Sequence, residues 1–414
     1  MSMRMPFRLA ALCLLLTTLA SCATQVDPQP FSAQARAELD QYLAAQVGPG
    51  RIPGLVAMVV DRKQTLYLNA FGQQDVAGNK PMRTDTIFRI ASMTKPVTAI
   101  AALMLIDEGK LGLDDPASKY LPDFADRPVM TDFNPADRSY RTRPARTPVT
   151  VRHLATHTSG LGYPFSNPTL AALAAGTNNP PANYPLLHEP GTRWTYGEST
   201  RALGRIVEVV SGQPLDMFLK ERIFDPLGMR DTSFVTTADR VGRVATIHRQ
   251  VDGRLVEAPN NPNAQGAIAS PVQGDGGLNS TAEDYAKFIQ MLLNDGVAPD
   301  GRRLLSKRAV GLVNANLTGE VKVETQPAAI PGLSEEFPIG AGRDAFGMAV
   351  QVTGKPGDAG MRRPGSYSWA GIFNTQFWVD PEAGVGGILL MQYLPFYDTR
   401  AIEALQGFEK KIYE

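Results

Sequence analysis

Net charge, histidine and cysteine are all scarce in this chain of 414 residues, and each scarcity closes off a class of function. Lys and Arg number 41, as do Asp and Glu, so the formal charge is zero and nothing draws the chain to nucleic acid or to an anionic membrane. The one basic cluster, Arg138, Arg141, Arg143 and Arg146, lies among Pro, Ser and Thr and reads as a solvated loop. With only 4 histidines there is little material for a metal centre. His153 and His157 have the helical spacing of a metal pair, but Leu154 rather than Glu follows His153, which argues against a zinc site. No Gly-x-Ser-x-Gly occurs, which argues against an α/β-hydrolase nucleophile turn. No glycine-rich phosphate loop, dinucleotide fingerprint, internal repeat or low-complexity segment stands out.

The 2 cysteines, Cys13 and Cys22, both sit at the N-terminus. Arg4 and Arg8 followed by the apolar run Leu9 to Thr18, about ten residues and too short to span a bilayer, read as an export signal over residues 1–21. Leu19-Ala20-Ser21-Cys22 resembles the bacterial lipobox, which implies a lipid on Cys22, a polar tether over 22–32 and a cell-envelope lipoprotein facing the periplasm, at the outer membrane rather than the inner. The lipid would be the only membrane attachment. Loss of Cys13 and lipidation of Cys22 would leave no disulfide, so stability would come from the core.

What is present points to acyl chemistry. Ser92-Met93-Thr94-Lys95 opens a run, Val97 to Ile106, that is apolar apart from Thr98 and predicts a buried helix. Pro96 fits its first turn and Gly109 its end. Residues three apart share a helix face, so the hydroxyl of Ser92 and the amine of Lys95 are neighbours, at a terminus whose free amides favour an oxyanion. The plainer reading is that Ser92 only caps the helix.

Apolar periodicity predicts a helix over Ala33 to Val47, strands over Leu55 to Val60 and Thr65 to Phe71, further strands over Phe346 to Val352, Thr375 to Val379 and Gly386 to Gln392, and a last helix over Thr399 to Tyr413. Two strands make no stable sheet alone. The expected fold is therefore α/β (α+β): an antiparallel sheet of about five strands built from both chain ends, 33–113 and 341–414, flanked by helices. A mostly helical insertion spans 114–340. Gly319 to Asp344 reads as a loop bordering the cleft, and Ser280 with Glu283 as a capping box before Tyr285 to Leu293.

Two further segments accompany Ser92 and Lys95. Glu189 to Glu198 is turn-rich and delivers Tyr196 just before a helical pattern, and Ser368-Trp369-Ala370-Gly371 precedes a strand. These three pieces, with the flanking phrases Val151 to Leu161, Gly276 to Thr281 and Phe377 to Pro381, resemble the superfamily of serine β-lactamases, penicillin-binding proteins and family VIII esterases over essentially the whole mature chain. The resemblance implies Ser92 as nucleophile, Lys95 or Tyr196 as proton acceptor, and the amides of Ser92 and Ile372 as oxyanion donors. Small Ala370 and Gly371 would let a substrate approach the strand edge, and Trp369 would wall the cleft. The plainer reading is a tyrosine packed as core beside Trp194, against which its position after the Pro-Gly turn matches the family's second motif.

Two departures from the β-lactam-processing members bear on substrate. Glu198 stands where they usually have Asn, and Trp369 where they usually have Lys. Losing that cation and adding a carboxylate disfavours anionic substrates. The expected function is an esterase for short-chain acyl esters, with no cofactor and no metal. The alternatives are a β-lactamase or D-alanyl-D-alanine carboxypeptidase and, in a different class, an inactive envelope lipoprotein that binds peptides or a partner. The sequence carries no signal for an oligomeric state.

Overall fold

The computed structural model describes Met1 and residues 31–176, 183–258, 268–269, 271–354 and 362–414. The export signal, Cys22 and most of the tether lie outside the described residues.

Both ends of the chain build one sheet. Its strands are β1 (Gly54–Asp61), β2 (Thr65–Asp75), β3 (Lys80–Pro81), β4 (Ala345–Phe346), β5 (Gln351–Val352), β6 (Tyr367–Gly371), β7 (Thr375–Asp380) and β8 (Val385–Leu390). They run in the order β4-β5-β6-β7-β8-β1-β2-β3, every neighbour antiparallel. The two ends meet at β1 and β8, where Met58 lies opposite Ile388.

All eight residues of β1 are buried because both sheet faces are covered. Alternate side chains go to opposite faces. Leu55, Ala57 and Val59 pack with Leu39 and Leu43 of α1 (Ala33–Ala44) and with Leu405 and Phe408 of the C-terminal helix Thr399–Tyr413. Val56, Met58 and Val60 pack with α2 (Thr94–Asp107) and with Tyr285 and Ile289 of the helix Ala282–Leu293. In chain order these helices are α1, α2, α3 (Ser199–Ser211), α4 (Ala282–Leu293) and α5 (Thr399–Tyr413).

Several expectations need correction. The segment 346–352 is not one strand: Ala349 takes a left-handed backbone (φ 55), and the chain folds back so that β4 pairs with β5. Ser368 to Gly371 is itself part of a strand, β6, and the short β3 adds another at the far edge, so the sheet has eight strands rather than about five. The cap of α4 is Thr281, which accepts from the Asp284 amide, while Ser280 pairs with Thr232 instead. The basic cluster lies partly in a hairpin, Pro128–Phe133 with Tyr140–Pro144, and Arg143 bridges to Glu189 at 2.7 Å.

The middle of the chain holds α3 and α4 with short helices, this hairpin and a second one, His248–Val251 with Arg254–Glu257. It lies against the buried α2, which carries twelve buried residues from Thr94 to Leu105. Gly109 ends that helix as expected, with φ 71.

Candidate active site

Ser92 is presented by a constrained turn. The short strand Phe88–Arg89 pairs with Asn279–Ser280, and the Ile90 amide donates to Leu278 O at 3.0 Å. Ala91 then takes φ 44, a backbone that costs a non-glycine residue about 1–3 kcal/mol. Neighbours hold it there: Ile90 O accepts from the Met93 amide at 2.9 Å and from Thr375 Oγ1 at 3.2 Å. A 3-10 turn, Ala91–Met93, leads into α2, whose cap position is Met93 with no side-chain capping bond. Ser92 is therefore not a cap. Its half-buried Oγ accepts from Lys95 Nζ at 3.0 Å and from Tyr196 Oη at 2.6 Å.

Lys95 is fully buried, so its polar end must find partners inside the protein. Besides Ser92, its Nζ donates to the backbone oxygen of Asp275 at 2.7 Å and to Tyr163 Oη at 3.2 Å. It also lies 4.9 Å from the centre of the Tyr196 ring.

Tyr196 arrives from the turn-rich segment. Gly191 turns the chain at φ 82, and the Thr195 amide donates to His157 O at 2.9 Å. A Cβ at Gly197 would collide with Leu161 O, so only glycine allows the backbone this close. The Tyr196 amide donates to Gln326 Oε1 at 3.2 Å. Its ring packs on His157, Tyr163, Trp369 and Phe337 at centroid distances of 5.0, 5.2, 5.2 and 5.5 Å. Tyr196 is thus packed and bonded to the serine at once. Gln326 and Phe337 come from the 319–344 loop, which borders the site as expected.

β6 forms the opposite wall. β5 pairs only with its Tyr367 and Ser368, so no strand pairs with Trp369 to Gly371 on that side among the described residues. A Cβ at Gly371 would collide with Ile90 O and Thr375 Oγ1, which is how the strand comes up against the Ser92 turn. Ile372 follows, half-buried, and its amide has no acceptor among the described residues. Trp369 is only 6% exposed. Most of its indole is packed on Tyr196, Phe346 and His157 rather than facing a cleft. Its remaining surface lines, with Ala370, Phe337 and Tyr397, a cavity of about 110 Å³.

Glu198 does not face Ser92 as a free charge. Its carboxylate is buried and pairs with Arg201 at 2.6 Å, and Arg201 Nε reaches Asp275 Oδ1 at 3.1 Å. Two carboxylates, Arg201 and Lys95 make the group neutral if each is ionised. Burial pushes Glu198 above the usual carboxylate range despite Arg201. Burial and the nearby Lys95 hold His157 well below the usual imidazole range. His157 Nδ1 accepts from the Gly197 amide at 3.4 Å, and among the described residues no cluster suited to a metal includes it.

Tyr163 and Asp275 were missed by sequence reasoning. Tyr163 Oη donates to the Asp275 carboxylate, and burial together with that charge holds the phenol well above its usual range, so it remains a donor. The available signals were a tyrosine held between Gly162 and Pro164 and an aspartate inside Gly274 to Gly277.

Comparison with known proteins places nearly the whole chain in one family. The family model described as Beta-lactamase matches residues 39–409. An uncharacterized protein of Mycobacterium tuberculosis is 36% identical over 86% of this chain and 90% of its own length. Lovastatin esterase of Penicillium rubens is 30% identical over 91% of this chain and 98% of its own. A mutant of simvastatin synthase from Aspergillus terreus superposes with a TM-score of 0.77 at 28% identity, covering 92% of this chain and 95% of that one. The antiparallel sheet, the buried helix that follows the Ser92 turn and the matches over nearly the whole chain lead to one conclusion: this protein belongs to the beta-lactamase family of serine hydrolases.

Proposed function

We propose that the protein is an esterase for uncharged, short-chain acyl esters, acting through an acyl-enzyme on Ser92. The observation that carries this reading is the contact of Ser92 Oγ with both Lys95 Nζ and Tyr196 Oη.

Counting protons shows what the contact does. The Asp275 carbonyl can only accept, and Tyr163 has given its hydrogen to Asp275, so both require an N–H from Lys95. Two of the lysine's three positions are thereby committed, and the third points at Ser92. With Lys95 as an ammonium and Tyr196 as a phenol, both donate to Ser92; for attack the pair must be one proton short, leaving either a Tyr196 phenolate or a Lys95 amine to accept from the serine. The two arrangements hold the same number of protons and differ only in where one resides.

Attack forms a bond from Ser92 Oγ to the ester carbonyl carbon, and the Oγ proton passes to the Lys95–Tyr196 pair. The amides of Ser92 and Ile372 take the oxyanion. Collapse breaks the carbon–oxygen bond to the leaving alcohol, which receives the proton. Water then attacks the acyl-enzyme, gives its proton to the pair, and the proton returns to Ser92 as the acid leaves.

The substrate preference rests on the absence of an unpaired cation at the β6 position, where Trp369 stands, and on the pairing of Glu198 with Arg201. Aromatic Phe165 and Phe337 flank Tyr196 and suit an apolar ester. The test compares p-nitrophenyl esters of rising chain length with a chromogenic cephalosporin and a D-Ala-D-Ala peptide, alongside fluorophosphonate labelling. Hydrolysis of the butyrate ester well above the cephalosporin, with one adduct on Ser92 and none in Ser92→Ala, is expected. Faster cephalosporin turnover would reverse the substrate assignment, and an unlabelled, folded wild type would favour a binding protein.

A further inference from the structure

Lys95 meets its surroundings through a chain of four side chains that the reaction above does not consume. Its Nζ reaches Tyr163 Oη at 3.2 Å, Tyr163 donates to one oxygen of Asp275, and Arg201 Nε reaches the other at 3.1 Å. Arg201 is held in turn by Glu198 at 2.6 Å. Asp275 acts on the lysine twice, through its backbone oxygen at 2.7 Å and through its carboxylate by way of Tyr163.

The Asp275 side chain is 3% exposed and that of Arg201 32%, so the chain runs from the interior toward the surface. Packing alone does not call for it. A phenol, two carboxylates and a guanidinium cost desolvation energy that an apolar cluster of the same volume would avoid. What they achieve together is directional: two fixed acceptors on Lys95 leave one position free, and that position faces Ser92.

We infer that Tyr163, Asp275 and Arg201 form a positioning assembly that orients Lys95 toward Ser92, with Tyr163 as the contact and the Asp275–Arg201 pair setting the charge that the Lys95–Tyr196 pair experiences. The inference rests on the acyl-enzyme reading. The ionisable groups facing Lys95 and its chain are Tyr163, Tyr196, His157, Asp275, Glu198 and Arg201, and Arg127 acts on Glu198 from farther out. The Asp275 carboxylate reaches Lys95 through Tyr163 and the Arg201 guanidinium holds that carboxylate, so the two place opposite charges beside the pair. Removing each should displace the acid limb of the pH profile in opposite directions.

The full-length protein and the variants Tyr163→Phe, Asp275→Asn, Arg201→Gln and Arg201→Lys test this with p-nitrophenyl butyrate from pH 5 to 10, after thermal unfolding has shown each to be folded. Tyr163→Phe keeps the ring and should lower kcat by about 10- to 100-fold with KM within about threefold, as expected when a group acts on the transition state rather than on binding. Asp275→Asn should move the acid limb of kcat/KM to lower pH and Arg201→Gln to higher pH, while Arg201→Lys restores the wild-type profile. Wild-type kcat in Tyr163→Phe, or limbs that stay fixed or move the same way in both charge variants, would overturn the inference. Fluorophosphonate labelling separates the two readings. No adduct on Ser92 in the wild type brings down the acyl-enzyme and the assembly with it. An adduct that forms equally fast in wild type and Tyr163→Phe brings down the assembly alone.

Discussion

The phenol of Tyr196 donates to Ser92 Oγ across 2.6 Å although 104 residues separate the two. Its ring is held between His157, Tyr163, Phe337 and Trp369, so removing the hydroxyl leaves the packing in place. Tyr196→Phe should lower kcat on p-nitrophenyl butyrate by about 10²–10⁴-fold. Its unfolding free energy should change by only about 1 kcal/mol, the worth of one hydrogen bond. Steady-state kinetics beside a urea melt measure both, and near-wild-type kcat would remove Tyr196 from proton transfer.

Gly371 offers a geometric test of the β6 wall. In Gly371→Ala the new methyl must displace Ile90 O or Thr375 Oγ1, the two groups that brace the Ser92 turn. A misplacement of about 1 Å suffices to cost about 10²-fold in rate. The variant should lose at least about tenfold in kcat and melt below wild type. Unchanged kinetics would show that the turn does not depend on this contact.

Trp369 serves mainly as a support for its aromatic neighbours. Truncating a large buried aromatic costs about 3–5 kcal/mol, and Trp369→Ala should fall in that range by urea denaturation because the indole packs on Tyr196, Phe346 and His157. A loss below about 1 kcal/mol, well under that range, would mean that the indole mostly faces a cleft.

All 4 histidines have pKa values lowered by burial. The unfolded chain then binds protons first as pH falls below about 6.5, so stability is complete above that pH and is lost as pH drops toward the folded-state values. Each buried histidine contributes up to about 1.4 kcal/mol per pH unit in this window. Tm should fall between pH 7.5 and 5.5, less steeply in His157→Gln than in wild type. Equal slopes would show that His157 is not held neutral.

Local chemistry made much of this protein legible. The Ser92–Lys95 spacing, the apolar α2, the strands around Val56 and Phe377 and the helix Thr399–Tyr413 are set by side-chain periodicity and turn residues within a few positions of each other. Where a local signal is ambiguous, sequence pattern and structure part. The run 346–352 reads as continuous because the left-handed position of its turn is Ala349, an ordinary strand-compatible residue, and Gly347 alone does not mark a reversal. Ser280 and Thr281 both satisfy the capping pattern, with Glu283 and Asp284 three residues on, and the pattern alone does not choose between them.

The sequence by itself determined the one-turn spacing of Ser92 and Lys95, the family and the sheet built from both ends. Only the tertiary structure decided what surrounds that lysine. Tyr163 and Asp275 stand 68 and 180 residues from it, and Arg201 turns Glu198 from a free negative charge into half of an ion pair. The physical reason is that a buried amine takes whichever acceptors the packed chain brings within 3 Å or so, and distant partners of that kind leave no periodicity along the sequence.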